Sequence, residues 1–144
     1  MTSAAVALYR LTRGRVLGRI GGQPVLLLET IGRRTGRRRT TPLQYLAEAE
    51  AFVVVASDRG AAHPPAWYLN LRAHPDARVQ MGTRTIDVLA HQVDGDERDQ
   101  LWDQLTAVNR HLEDAARKAG RPLPLMALTP ATAAPEGAVR AHRR

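Results

Sequence analysis

A chain of 144 residues, 44% of them apolar, is the size of one domain and long enough to bury a core of its own. It contains no cysteine, which excludes disulfides, zinc–thiolate sites and a cysteine nucleophile; its five histidines are scattered without metal-ligand spacing, so no metal is expected. The net charge of +7 is concentrated in the first third: residues 1–47 hold nine arginines against one acid, Glu29, whereas residues 48–144 hold twelve basic and thirteen acidic groups.

A basic surface confined in this way points to a polyanionic partner: nucleic acid, anionic lipid or a small anionic ligand. From Ala4 to Ile20 the apolar spacing predicts a helix, closed by Gly21-Gly22, so residues 1–21 are read as an N-terminal helical segment. Residues 4–20 suit peripheral contact with an anionic membrane surface, or packing against the domain; both readings stand. No run approaches the ~20 apolar residues of a membrane span, and no apolar core with a cleavage site begins the chain. The expected location is cytoplasmic, with peripheral contact at the inner membrane face as the variant.

Val25–Glu29 is a continuous apolar run ending in one acid, as in a strand buried on both faces. Leu43–Leu46 reads as the next strand and Phe52–Ser57, rich in β-branched residues, as a central one. Ser57–Pro65 is broken by glycine and two prolines, and Ala66–Ala73 follows as a short helix entered through proline. Strands Arg78–Met81 and Arg84–Ala90 flank a Gly82-Thr83 turn. Asp94–Glu97 offers an acidic helix start, continued by a stripe of Leu101, Trp102, Leu105 and Val108. A second helix over Leu112–Ala119 ends at Gly120, and Pro124–Leu128 closes the domain as a strand. Six or so strands joined by hairpins predict a mainly β, α+β fold, a small barrel over residues 22–129, with 130–144 as a disordered tail.

Between the first two strands lies Thr30–Pro42, with five arginines, two glycines and several hydroxyls. Glycines that let N–H groups point outward, beside guanidinium forks, make an anion receptor; a hairpin tip made basic for solubility is the other reading. The loop lacks the Gly-Lys-Ser/Thr ending of a P-loop, and no Gly-x-Ser-x-Gly elbow or distinctive carboxylate pair occurs. A chain poor in catalytic acids and bases can still be an enzyme when a cofactor brings the chemistry. The stretch Ser57–Pro65 leads into Trp67 and Asn70, which offer flat apolar area and hydrogen-bond donors for a planar heterocycle, although Trp67 serves equally as core. No aromatics interleave with the arginines, so nucleic acid is not the expected partner.

Gly32-Arg33-Arg34-Thr35-Gly36-x-x-Arg39-x-x-Pro42-Leu43, then Val54–Ser57, then Pro65–Ala73 with Pro75, resemble the deazaflavin-dependent nitroreductase family. Its members are split β-barrel oxidoreductases of the flavin-reductase-like kind that use coenzyme F420, an 8-hydroxy-5-deazaflavin, in preference to FMN. The resemblance covers about residues 20–130. It implies hydride transfer from the reduced ring to a quinone or nitro acceptor. Arg33, Arg34 and Arg39 would hold the phosphodiester and the glutamate tail, with Thr35, Gly36, Thr41 and Pro42 shaping the loop. Ser57, Ala66 and Trp67 would border the ring, and Arg59 and Gly60 would complete the phosphate side. No catalytic side chain is assigned. Two departures stand out. Asp58 and Arg59 occupy the places of a lysine and a glycine, and no tyrosine occurs between Asn109 and Ala119, where nitro-reducing members have several. A coenzyme-binding protein without turnover is therefore the alternative, and monomer or homodimer is left open.

Overall fold

The computed structural model describes residues 3–14, 19–20, 23–57 and 60–131. In chain order these form α1 (Ser3–Thr12), β1 (Arg19–Ile20), β2 (Gln23–Ile31), β3 (Arg38–Gln44), β4 (Leu46–Glu48), β5 (Ala51–Val55) and α2 (Ala66–Ala73). There follow β6 (Asp76–Met81), β7 (Arg84–Val93), α3 (Gly95–Val108), α4 (His111–Ala119) and β8 (Leu125–Pro130). Every strand pairing is antiparallel. The strand order is β1-β2-β6-β7-β8-β5-β4, and β3 pairs with β2 on the edge opposite β6.

Closure follows from one residue. Only Tyr45 separates β3 from β4, yet β3 pairs with β2 at one end of the sheet and β4 with β5 at the other. The sheet must therefore curl until its ends meet, giving the split half-barrel.

Alternation along the strands divides the apolar residues between two sides. Leu26 and Leu28 of β2 face the interior with Val54, Val79, Val88, Met126 and Leu128, and α2 plugs that interior with Trp67, Tyr68 and Leu71. Val25 and Leu27 point outward and are covered by Val6 and Tyr9 of α1. On β8, Leu125 and Ala127 likewise point outward, beneath Leu101 and Leu105 of α3. Both faces of β2 and β8 are thus covered, which is why the run Val25–Leu28 carries no polar residue.

Several boundaries differ from the sequence reading. The helix expected over Ala4–Ile20 ends at Thr12, because Arg13 and Gly14 take positive φ (54° and 83°) and Arg19–Ile20 instead pairs with β2. Residues 15–18 and the Gly21-Gly22 stop lie outside the described residues. The strand expected over Leu43–Leu46 is split at Tyr45, and its first part begins five residues earlier, at Arg38. Pro130, assigned to the tail, still belongs to β8 and pairs with Val88; residues 132–144 lie outside the described residues.

Tyr9 fixes α1 to the barrel. Its buried hydroxyl donates to the Val25 carbonyl at 2.9 Å, with the Gln80 carbonyl at 3.3 Å, and accepts the Gly82 N–H at 3.0 Å. Tyr9→Phe leaves a carbonyl and an N–H without this partner and is expected to destabilise the fold by about 1–3 kcal/mol. Denaturant unfolding measures it; an unchanged midpoint would show that α1 is held by Val6 and the ring alone.

Candidate functional site

The arginine-rich stretch is a hairpin tip rather than a thirteen-residue loop. Ile31 pairs with Arg38, so only residues 32–37 turn, and Arg38 and Arg39 already lie on β3. The Gly32 N–H donates to the Arg37 carbonyl at 2.7 Å and the Gly36 N–H to the Gly32 carbonyl at 2.8 Å. Thr35 Oγ1 accepts the Arg37 N–H at 3.1 Å. A Cβ at Gly32 would lie 2.8 Å from that same hydroxyl oxygen, so any side chain there displaces the contact that shapes the turn.

The tip is anchored from inside the barrel. Asn70 of α2, only 4% exposed, accepts the Arg33 N–H on Oδ1 at 3.0 Å and donates from Nδ2 to Thr30 Oγ1 at 3.2 Å. Thr30 is itself fully buried. Asn70→Ala leaves an N–H and a buried hydroxyl unpaired, with an expected cost of about 1–3 kcal/mol. Faster amide exchange at residues 33–37 should accompany it; protection equal to wild type would mean the tip holds its shape unaided.

Strand alternation sorts the arginines. Arg38 lies on the α1 side and pairs with Glu29 at 2.8 Å. Arg39, opposite Thr30 in the register, shares its face with Thr41 and with Leu43, which packs on the interior cluster. Among the described residues Arg33, Arg34 and Arg39 have no ion-pair partner. Three unpaired guanidinium groups in a row are disfavoured by mutual repulsion and become favourable when an anion binds.

Two clefts adjoin this hairpin. One, of about 1130 Å³, is lined by Arg33, Arg34, Thr35, Arg38 and Arg39, with Arg10 and Leu11 of α1 opposite. The second, of about 590 Å³, is uncharged, with Leu43, Tyr45, Val55, Leu105, Val108 and Leu112 in its walls beside Gln23, Gln44, Ser57 and Asn109. Thr41, Ala66 and Trp67 line both. No Asp, Glu, His, Lys or Arg is among the described residues lining this second cleft. The pair suits a ligand with one flat apolar end and one long anionic arm.

The residues expected from the sequence distribute as follows. Arg33, Arg34, Thr35, Arg39, Thr41, Ala66 and Trp67 line the basic cleft, and Thr41, Pro42, Ser57, Ala66 and Trp67 the uncharged one. Trp67 is only 6% exposed, so most of its ring belongs to the core and little of it reaches either cleft. Gly36, with φ 73°, shapes the tip without lining a cleft. Gly60 lines neither: it is buried under α4, where a Cβ would meet the Ala115 carbonyl at 2.9 Å. Asp58 and Arg59 lie outside the described residues.

Two features were missed in sequence, and the partners of a third, Asn70, were not foreseen. Arg10 and Leu11 form a wall of the basic cleft although they are more than twenty residues from the hairpin. Tyr45 lines the uncharged cleft, its ring edge-to-face on Phe52 at 5.8 Å, and gives that cleft an aromatic side chain, which residues 109–119 do not contain. Asn70, expected beside a ring, has both polar ends engaged by the hairpin. Among the described residues no His, Asp and Glu cluster could hold a metal ion.

A family model described as F420H2-dependent quinone reductase matches residues 2–130. An F420H2-dependent quinone reductase of Mycobacterium tuberculosis is 38% identical over 128 residues, covering 85% of each chain. A solved F420-H2 dependent reductase superposes with a TM-score of 0.67 at 29% identity, over 73% of this chain and 93% of its own. Another structure, described as a domain-swapped dimer, gives a TM-score of 0.69 at 27% identity, over 87% of this chain and 95% of its own.

Proposed function

The chain belongs to the F420H2-dependent quinone reductase family, and we propose that its two adjoining clefts hold the coenzyme and the quinone it reduces. The observation that carries this reading is the junction: an uncharged cleft and a basic one share Thr41, Ala66 and Trp67. A deazaflavin with a phosphodiester and a glutamate tail has the same division into a flat end and an anionic arm.

The bound coenzyme supplies the hydride. Arg33, Arg34 and Arg39 pair with its anionic arm, and Thr35 and Gly36 keep the hairpin in the shape that presents them. Ser57 and Ala66 border the ring. Leu105, Val108, Leu112 and Tyr45 cover the acceptor and exclude water from the transfer. With no carboxylate, histidine or lysine among the described residues lining that cleft, the protein's contribution is chiefly proximity and alignment.

Titration with oxidised coenzyme F420 and with FMN, followed by fluorescence, tests the assignment. The deazaflavin should bind more tightly, since FMN lacks the glutamate arm that the arginines meet. FMN binding as tightly would overturn the reading. Tight coenzyme binding with every quinone inert would leave a binding protein without turnover.

One observation favours a peripheral membrane contact besides. Leu11 is 82% exposed on α1 and is flanked by Arg10 and Arg13. No helix among the described residues is long and apolar enough to cross a membrane. The full chain should float with phosphatidylglycerol vesicles and Leu11→Ser should float less; equal flotation of the two would remove α1 from membrane contact.

A further inference from the structure

The basic cleft has a second wall. Arg10 donates from Nη2 to Thr40 Oγ1 at 3.3 Å, which directs its guanidinium across the cleft mouth toward β3. Its backbone position is fixed, because the neighbouring Tyr9 is 2% exposed and hydrogen-bonded to β2 and to the β6–β7 turn. No acid among the described residues forms an ion pair with Arg10.

The cleft also continues past this point. Arg10 and Thr40 line both the 1130 Å³ cleft and a smaller one of about 310 Å³ that reaches Arg78. Arg38, on the hairpin side, is already matched by Glu29, which also lines the smaller cleft, and past Arg10 the next cation, Arg78, is matched by Asp87 at 3.0 Å. Going outward from the hairpin, Arg10 is therefore the last cation on this route without an acidic partner among the described residues.

From this placement we infer that Arg10 is a specificity residue for the length of the coenzyme's anionic tail. The inference rests on the coenzyme reading above. Arg33, Arg34 and Arg39 take the phosphodiester and the first glutamates, and Arg10 meets the carboxylates that emerge across Thr40. The protein then prefers long-tailed coenzyme over forms with few or no glutamates. Arg10 touches no reacting atom, so its effect lies in binding and not in the hydride step.

The experiment measures dissociation constants by fluorescence for three coenzyme forms: without glutamates, with a short tail and with a long one. Full-length wild type, Arg10→Gln and Arg10→Lys are compared at one fixed ionic strength. Wild type should bind more tightly as the tail lengthens. Arg10→Gln should lose roughly three- to fivefold for the long-tailed form, as suits one exposed charge pair, and nothing for the glutamate-free form. Arg10→Lys should recover most of the loss. A wild-type affinity that ignores tail length, or an Arg10→Gln loss equal for all three forms, overturns the inference and leaves the coenzyme reading intact. Wild type that binds no form overturns both. Loss of phosphatidylglycerol vesicle flotation in Arg10→Gln, with tail dependence unchanged, would assign the residue to a lipid surface and overturn the inference.

Discussion

Arg33→Ala combined with Arg39→Ala is expected to weaken coenzyme binding about a hundredfold or more while leaving the fold as stable as before. Both side chains are exposed, line the basic cleft and lack an acidic partner among the described residues. A hydrogen bond to a charged group contributes about 1.5–3 kcal/mol, so two of them reach about a hundredfold or more where the bound arm shields them from solvent. Stability should not suffer, since removing unpaired like charges relieves repulsion and breaks no ion pair. Arg38→Ala is the internal comparison. Arg38 already pairs with Glu29, so its loss should cost less affinity than that of Arg33 or Arg39. A folded double variant that binds as wild type does would move the anionic arm away from this hairpin.

The distinction between Arg38 and Arg39 shows what local sequence conveys and what it does not. That arginines cluster there is plain from the residues. Which of them is free depends on the β2–β3 register, which places Glu29 beside Arg38 and Thr30 opposite Arg39. Helix α2 was legible to the residue, because Pro65 enters it and Pro75 lies just past its end. The apolar run Val25–Leu28 announced a strand covered on both faces. By contrast α1 ends at Thr12, through positive φ at Arg13 and Gly14 that the apolar spacing across residues 13–20 conceals.

The remaining misses share a cause: each is a contact made across the fold. Tyr45 looks like an ordinary strand residue until the strand order shows it joining the two ends of the sheet. Arg10 reaches Thr40, thirty residues away, and Asn70 reaches Thr30 at forty. Gly60 sits in a stretch that resembles a phosphate-side loop, yet its missing side chain makes room for Ala115 and Lys118 of α4. Local composition carries none of these distances.

Quinones such as menadione are expected to be reduced, and a nitroimidazole to react slower by a factor on the order of 10²–10⁴, the range that loss of a positioned proton donor can cost. The α3–α4 corner faces the uncharged cleft with Leu105, Val108, Asn109 and Leu112, and residues 109–119 contain no tyrosine hydroxyl. A quinone tolerates that lack. Hydride addition to it forms an aromatic oxyanion whose charge is spread over the ring, and the single proton that completes the quinol can arrive from water. A nitro group gains no aromaticity from the hydride, and it depends more on a donor positioned beside its oxygens as charge develops. Tyr45 lines the same cleft with its ring edge-to-face against Phe52, a ring that offers apolar contact to either acceptor. Tyr45→Phe should therefore change quinone turnover only a few-fold, whereas Leu112→Tyr, which restores a hydroxyl to the corner, should raise nitroimidazole turnover and leave coenzyme affinity unchanged. Rapid nitroimidazole reduction by the wild type, lost in Tyr45→Phe, would instead make the Tyr45 hydroxyl the proton donor and place the acceptor against β3 rather than the helical corner.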